Sequence, residues 1–84
     1  MSTVTIYTKH GCSYCESAKA LLHRKGVVFD EVNLDGKADV AKALFARLGR
    51  RTVPQIFIGE THVGGCDDLY ALERQDRLDG LLAV

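Results

Sequence analysis

Cys12-Ser13-Tyr14-Cys15 sets two thiols three residues apart, and Cys66 stands alone beside Gly64-Gly65. One helical turn brings two thiols close enough for a disulfide to form and open with little backbone movement, a reversible two-electron switch. The same spacing is also half of a zinc site. A closed zinc site would need further ligands from Cys66, His10, His23 and His62, without a second C-x-x-C or any H-x-x-H. A third reading makes the pair two inert buried thiols. Three cysteines in 84 residues are too few for a disulfide scaffold, and an odd number cannot all pair within the chain.

A redox pair needs one thiol that ionises. Cys12 stands just ahead of a helix, where unpaired N–H groups and the positive dipole end favour an anion, whereas Cys15 shares an apolar face with Ala18 and Leu22. Cys12 is therefore the expected nucleophile and Cys15 the resolving thiol. Lowering a thiol pKa from about 8.5 to about 6.5 raises its thiolate fraction at pH 7 from roughly 3% to roughly 75%, for about 2.7 kcal/mol. The helix dipole supplies only about 0.3–1 kcal/mol of this. The N–H groups of Tyr14 and Cys15 and the ammonium of Lys9 are expected to supply the rest.

The elements that must hold these thiols follow from the pattern. Thr3 to Thr8 alternates as a strand and ends at the loop Lys9-His10-Gly11. Helical spacing of Cys15, Ala18, Leu21 and Leu22 predicts a helix over Ser13 to Lys25, stopped by Gly26. Val27 to Asn33 is β-branched and aromatic, a second strand before the turn at Asp35-Gly36. Val40, Ala41, Leu44, Phe45 and Leu48 mark a second helix closed by Gly49. Gln55 to Ile58 and Thr61 to Val63 read as a hairpin around Gly59-Glu60. One last helix runs from about Asp67 past Leu69 and Leu72, loosening at Asp79-Gly80. The pattern predicts an α/β fold, a four-stranded mixed sheet in the order βαβ, α, ββα, with its first two strands parallel. Without repeats or linkers, residues 1–84 are expected to form one domain.

Composition narrows the function. Eleven Lys and Arg balance eleven Asp and Glu, so the basic excess that nucleic-acid binding requires is missing. The longest apolar runs, such as Leu81 to Val84, are far shorter than a membrane span of about 20 residues. A cytoplasmic protein that binds neither nucleic acid nor membrane is expected.

Four segments together resemble one family. Tyr7-Thr8-Lys9, Cys12-Ser13-Tyr14-Cys15, Thr52-Val53-Pro54 and Gly64-Gly65-Cys66-Asp67-Asp68-Leu69 look like those of a glutaredoxin, and the stretches Ala18 to Leu22, Val53 to Gly59 and Gly64 to Leu72 are especially similar to the short bacterial dithiol glutaredoxins of the third type. The resemblance implies a thioredoxin fold and glutathione as reductant. Cys12 would attack a glutathionylated substrate, and Cys15 would close the intramolecular disulfide when a protein disulfide is reduced. Lys9 and Tyr14 would line the glutathione groove, with Arg51 meeting the glycine carboxylate. A cis Val53-Pro54 bond is implied, leaving the backbone of Thr52 and Val53 to pair with an extended peptide. Gly64-Gly65 would permit close backbone approach and Cys66-Asp67-Asp68 would open the third helix, whose N–H groups hold the γ-glutamyl carboxylate while Asp67 or Asp68 meets the α-amine. Taken alone, the two aspartates read as helix caps.

Other residues are expected to be structural. Cys66 reads as a small buried hydrophobe, Tyr70 and the apolar stripes of the later helices as core, and His23 and His62 as surface residues. One departure bears on chemistry: Ser13 stands where the bacterial dithiol type usually carries proline. Relatives lacking that proline can hold a [2Fe–2S] cluster between two subunits, so a cluster-storing or cluster-transferring dimer is the alternative function. The leading expectation is a monomer without bound metal. Its partners would be glutathione and disulfide-containing or glutathionylated proteins, ribonucleotide reductase among the candidates.

Overall fold

A computed structural model describes residues 3–83. The elements run β1 (Val4–Thr8), α1 (Ser13–Arg24), β2 (Phe29–Asn33), α2 (Ala38–Leu48), β3 (Gln55–Ile58), β4 (Thr61–Gly64), α3 (Cys66–Arg74) and α4 (Leu78–Ala83). They build a sheet in the order β2-β1-β3-β4. β1 and β2 pair in parallel from Val4 opposite Phe29, as the right-handed crossover through α1 requires, and the other pairings are antiparallel.

Alternation along β1 decides which face is filled. Val4, Ile6 and Thr8 point to one side and are buried. There Val4 and Ile6 join Ala18, Leu21 and Leu22 of α1, Ile56 and Ile58 of β3, and Leu69 of α3. Tyr7 points the other way and meets Phe57 edge-on, with ring centres 6.0 Å apart. α2 lies on this second face, where Arg47 sets its guanidinium 5.5 Å from the centre of the Phe57 ring.

Three expectations are corrected. The second strand begins at Phe29 rather than Val27, because the Val27 N–H is used to close α1 on the Leu22 carbonyl at 3.1 Å and Val28 is 92% exposed. The apolar stripe of α2 is not fully core: Leu44 is buried, but Val40 is 45% exposed. The final helix is two helices. The chain breaks at Gln75 to Arg77, where Asp76 takes φ 56°, and Asp79-Gly80 lies inside α4. Asp tolerates that left-handed conformation, and the turn returns Leu78 to a fully buried position. Lys25 at the end of α1 secures this corner by pairing with Glu73 at 2.8 Å and Asp79 at 2.9 Å.

Candidate active site

The turn from β1 into α1 presents Cys12 at the helix N-cap, in extended conformation. That position is commonly taken by a side-chain oxygen that accepts an N–H of the first turn. Here the acceptor is sulfur: the Cys15 N–H donates to Cys12 Sγ at 3.0 Å. Among the described residues the expected second donor, the Tyr14 N–H, makes no bond to that sulfur. The two sulfur atoms are in bonding contact, and the Cα atoms are 5.2 Å apart, within the range of about 4.4–6.8 Å that a disulfide spans. Cys15 is buried among core residues while Cys12 is partly exposed. This asymmetry matches an attacking sulfur that substrates can reach and a second sulfur that only the first can reach.

While Cys12 itself lines a neighbouring depression, an open groove of about 490 Å³ adjoins the Val53 segment that faces Cys12. Its walls come from three places that are distant in sequence: Tyr14 on α1, Thr52 to Pro54 before β3, and Gly65 to Asp68 at the start of α3. Arg51 lines it too, together with Arg50, which the sequence reading passed over. The Val53–Pro54 bond is cis, as the resemblance implied, and the Val53 carbonyl oxygen lies 3.8 Å from Cys12 Sγ. Lys9 stands outside this groove. It lines a neighbouring depression with Lys42 and Phe45, its ammonium 5.7 Å from the centre of the Phe45 ring, and a second one with Cys12 on the far side.

The start of α3 is strongly organised. The Gly65 N–H donates to Asp68 Oδ2 at 2.9 Å, and Arg50 pairs with the same oxygen at 3.3 Å. The Gly65 N–H first, and the Arg50 guanidinium after it, hold the Asp68 carboxyl below the usual carboxylate range. Asp68 therefore does act as a cap, while Asp67 beside it is exposed. Gly64 makes this possible: its φ is 117°, and a Cβ there would collide with the Asp68 carboxylate. Cys66 is 7% exposed, and burial first, then the Asp67 charge, push its thiol up. It is packed as a small hydrophobe at the groove wall. Among the described residues no three His, Cys, Asp or Glu side chains converge to hold a metal.

Sequence reasoning missed a second cluster. Gln55 is fully buried, yet it opens a strand, and its amide joins Thr52 to His62. His62 and His23 are both exposed, as expected, but His62 also bonds the Gln55 amide, whereas His23 meets Phe29 edge-on at 5.2 Å. His10 is exposed, with its backbone N–H donating to Asp35. A polar residue inside the apolar run Val53-Pro54-Gln55-Ile56-Phe57-Ile58 was the available signal for Gln55. Nothing in the sequence distinguished Arg50 from Arg51. On the face shared by α1 and α3, Tyr70 spans from α3 to α1, its hydroxyl donating to the Ser17 carbonyl at 3.0 Å.

Known proteins agree with this geometry. The glutaredoxin family model matches residues 4–63. A glutaredoxin of Pseudomonas aeruginosa is 58% identical over 84 residues, covering 100% of both chains. Glutaredoxin 3 of Escherichia coli is 56% identical over 82 residues, 98% of this chain and 99% of its own. The crystal structure of a buckwheat glutaredoxin–glutathione complex superposes with a TM-score of 0.91 at 33% identity, over 98% of this chain and 77% of the other. The sulfur pair at a strand-to-helix turn, the cis-proline wall and the matched sequence lead to one conclusion: this chain belongs to the glutaredoxin family of thiol–disulfide oxidoreductases.

Proposed function

We propose that the chain reduces glutathionylated proteins and protein disulfides with glutathione as the electron source, through Cys12 and Cys15. The observation that carries this reading is the single groove that joins Tyr14, the Thr52–Pro54 segment that faces Cys12, and the first turn of α3. Glutathione is a short extended peptide with a zwitterionic end. The Val53 backbone offers pairing for the peptide, the N-terminal N–H groups of α3 suit a carboxylate, and exposed Asp67 suits an ammonium. Arg51 and Arg50 offer cations to the second carboxylate. The buckwheat relative, which forms a complex with glutathione, supports the assignment.

The chemistry is two successive thiol–disulfide exchanges. The Cys12 thiolate attacks the glutathione sulfur of a mixed disulfide; the S–S bond breaks, and the protein thiolate leaves and takes a proton. A second glutathione thiolate then attacks the sulfur that Cys12 carries, releasing oxidised glutathione and regenerating the Cys12 thiolate. With a protein disulfide, Cys12 forms a mixed disulfide with the protein and Cys15 attacks Cys12 Sγ. The second substrate thiol is released, and the Cys12–Cys15 disulfide then accepts two electrons from two glutathiones. Each half of the cycle moves two electrons, and no other oxidant is needed. Both thiols and the groove belong to one chain, which favours a monomer. Regeneration by glutathione favours the cytoplasm, where that pool is kept reduced.

The test is glutathione-coupled turnover of a glutathionylated peptide and of a protein disulfide, ribonucleotide reductase included. Cys12→Ser should abolish both reactions, whereas Cys15→Ser should keep deglutathionylation and lose protein-disulfide reduction. Equal activity in all three proteins would overturn the mechanism. A dimer purified without oxygen that absorbs between roughly 300 and 600 nm would replace it by the cluster-carrying alternative.

A further inference from the structure

Residues 50–54 form neither helix nor strand, so the wall they give the groove has no ladder of backbone hydrogen bonds to hold it. A buried side chain holds it instead. Gln55 Nε2 donates to the Thr52 carbonyl at 2.8 Å and to Thr52 Oγ1 at 3.3 Å. A carbonyl oxygen only accepts, so the amide nitrogen must face Thr52 and the amide oxygen must face the other way. That oxygen lies 2.7 Å from His62 Nε2, which must therefore carry the hydrogen. His62 is itself seated on Phe57, with ring centres 4.9 Å apart and planes inclined by 32°. Burial first, and then Arg50 and Arg47, hold its pKa below the ordinary value against the opposing pull of Asp68, which fits a neutral ring.

We propose that His62 and Gln55 are positioning residues for the glutathione groove: His62 orients the Gln55 amide, Gln55 anchors Thr52, and Thr52 sets the Val53 backbone opposite Cys12. Neither side chain touches the reacting sulfurs. Their effect is on the fraction of molecules in which the wall is ready to bind, and an apparent dissociation constant rises as that fraction falls. The inference rests on the glutathione reading above, since it concerns the wall that the peptide would pair with.

His62→Phe keeps a ring to pack on Phe57 and removes only the donor. The apparent KM for a glutathionylated peptide should rise about fivefold, equivalent to about 1 kcal/mol for one lost hydrogen bond. The kcat and the melting temperature should stay near wild type. His62→Gln, which restores an N–H donor, should recover most of the loss. Gln55→Glu keeps the shape, but its carboxylate cannot donate to Thr52; its KM should be raised at pH 8 and fall again towards pH 5 as the carboxyl gains a proton. Because Gln55 is buried that variant can misfold, and the two His62 variants then decide alone. Nitrogen NMR of the wild-type ring should show hydrogen on Nε2, and His62→Phe should shift the Thr52 and Val53 amide resonances. An unchanged KM in His62→Phe, a neutral ring with hydrogen on Nδ1, or unshifted Thr52 and Val53 amides would each overturn the relay. If instead wild type fails to turn over the glutathionylated peptide, the glutathione reading fails, and the amide shifts still decide whether the relay exists.

Discussion

Helices α1 and α3 both start at the groove, and their first turns are held by different atoms. At α1 the acceptor is Cys12 Sγ, which takes the Cys15 N–H and also faces the Val53 carbonyl. At α3 the acceptor is a carboxylate: Asp68 takes the Gly65 N–H and is held from outside by Arg50. The sulfur at α1 is partly exposed and can change bonding partner, whereas the oxygen at α3 is committed to two partners at once. A helix end can therefore serve as a reactive position when its cap is a nucleophile and as a fixed binding edge when its cap is a paired anion. In this chain the two kinds meet across one groove.

Substitutions can separate the two roles. Cys12→Ser should have the largest effect and the narrowest: serine is a good N-cap, so stability should stay within about 0.5 kcal/mol of the reduced wild type by denaturant titration. Turnover should nevertheless fall to background, and a large stability loss would mean that the sulfur is mainly structural. Gly64→Ala should cost about 2 kcal/mol, because alanine is strained at φ 117° and its Cβ collides with Asp68. Adding Asp68→Ala should cost less than the sum of the two single changes, since the collision is then gone. In the reduced protein Cys66 should be alkylated at least about tenfold more slowly than Cys12 at pH 7, because burial and Asp67 disfavour its thiolate. Equal rates would show that the α3 wall opens.

The smallest effect belongs to Asp68→Asn, which keeps an acceptor for Gly65 and loses the charge opposite Arg50. At pH 7 the pair is half exposed, so the loss should be about 0.5 kcal/mol or less. Acid exposes the difference in sign. The folded pKa of Asp68 lies below its unfolded value of about 3.9, so the stabilisation is complete above that pH and disappears as pH falls through the folded value. Wild type should thus lose its advantage over Asp68→Asn on acidification, and a gap that did not shrink as pH falls would place the effect elsewhere.

The two faces of the sheet show how far local pattern reaches. On the α1 and α3 face, spacing of Ala18, Leu21 and Leu22 specified positions that are indeed buried, and Ile56 and Ile58 of the expected strand join them while Phe57 between them faces the other way, because both periods match a face that is fully covered. On the α2 face the same kind of pattern overstated burial, since Val40 is exposed and Leu44 is the buried residue of the helix. The break before α4 was misplaced for a related reason. Asp79-Gly80 is the stronger local turn signal, but burial of Leu78 and the Lys25 ion pairs set the turn three residues earlier, at Asp76.

From the chain alone came the thiol pair, its place at a strand-to-helix turn, the parallel β1–β2 crossover and the family resemblance, because each depends on neighbours in sequence and on short-range periodicity. Tertiary structure decided which of two arginines reaches Asp68, that Lys9 turns away to Phe45, and that Gln55 ties Thr52 to His62. Those choices depend on strand register and on atoms brought together from segments that the sequence keeps apart, and no local pattern encodes them.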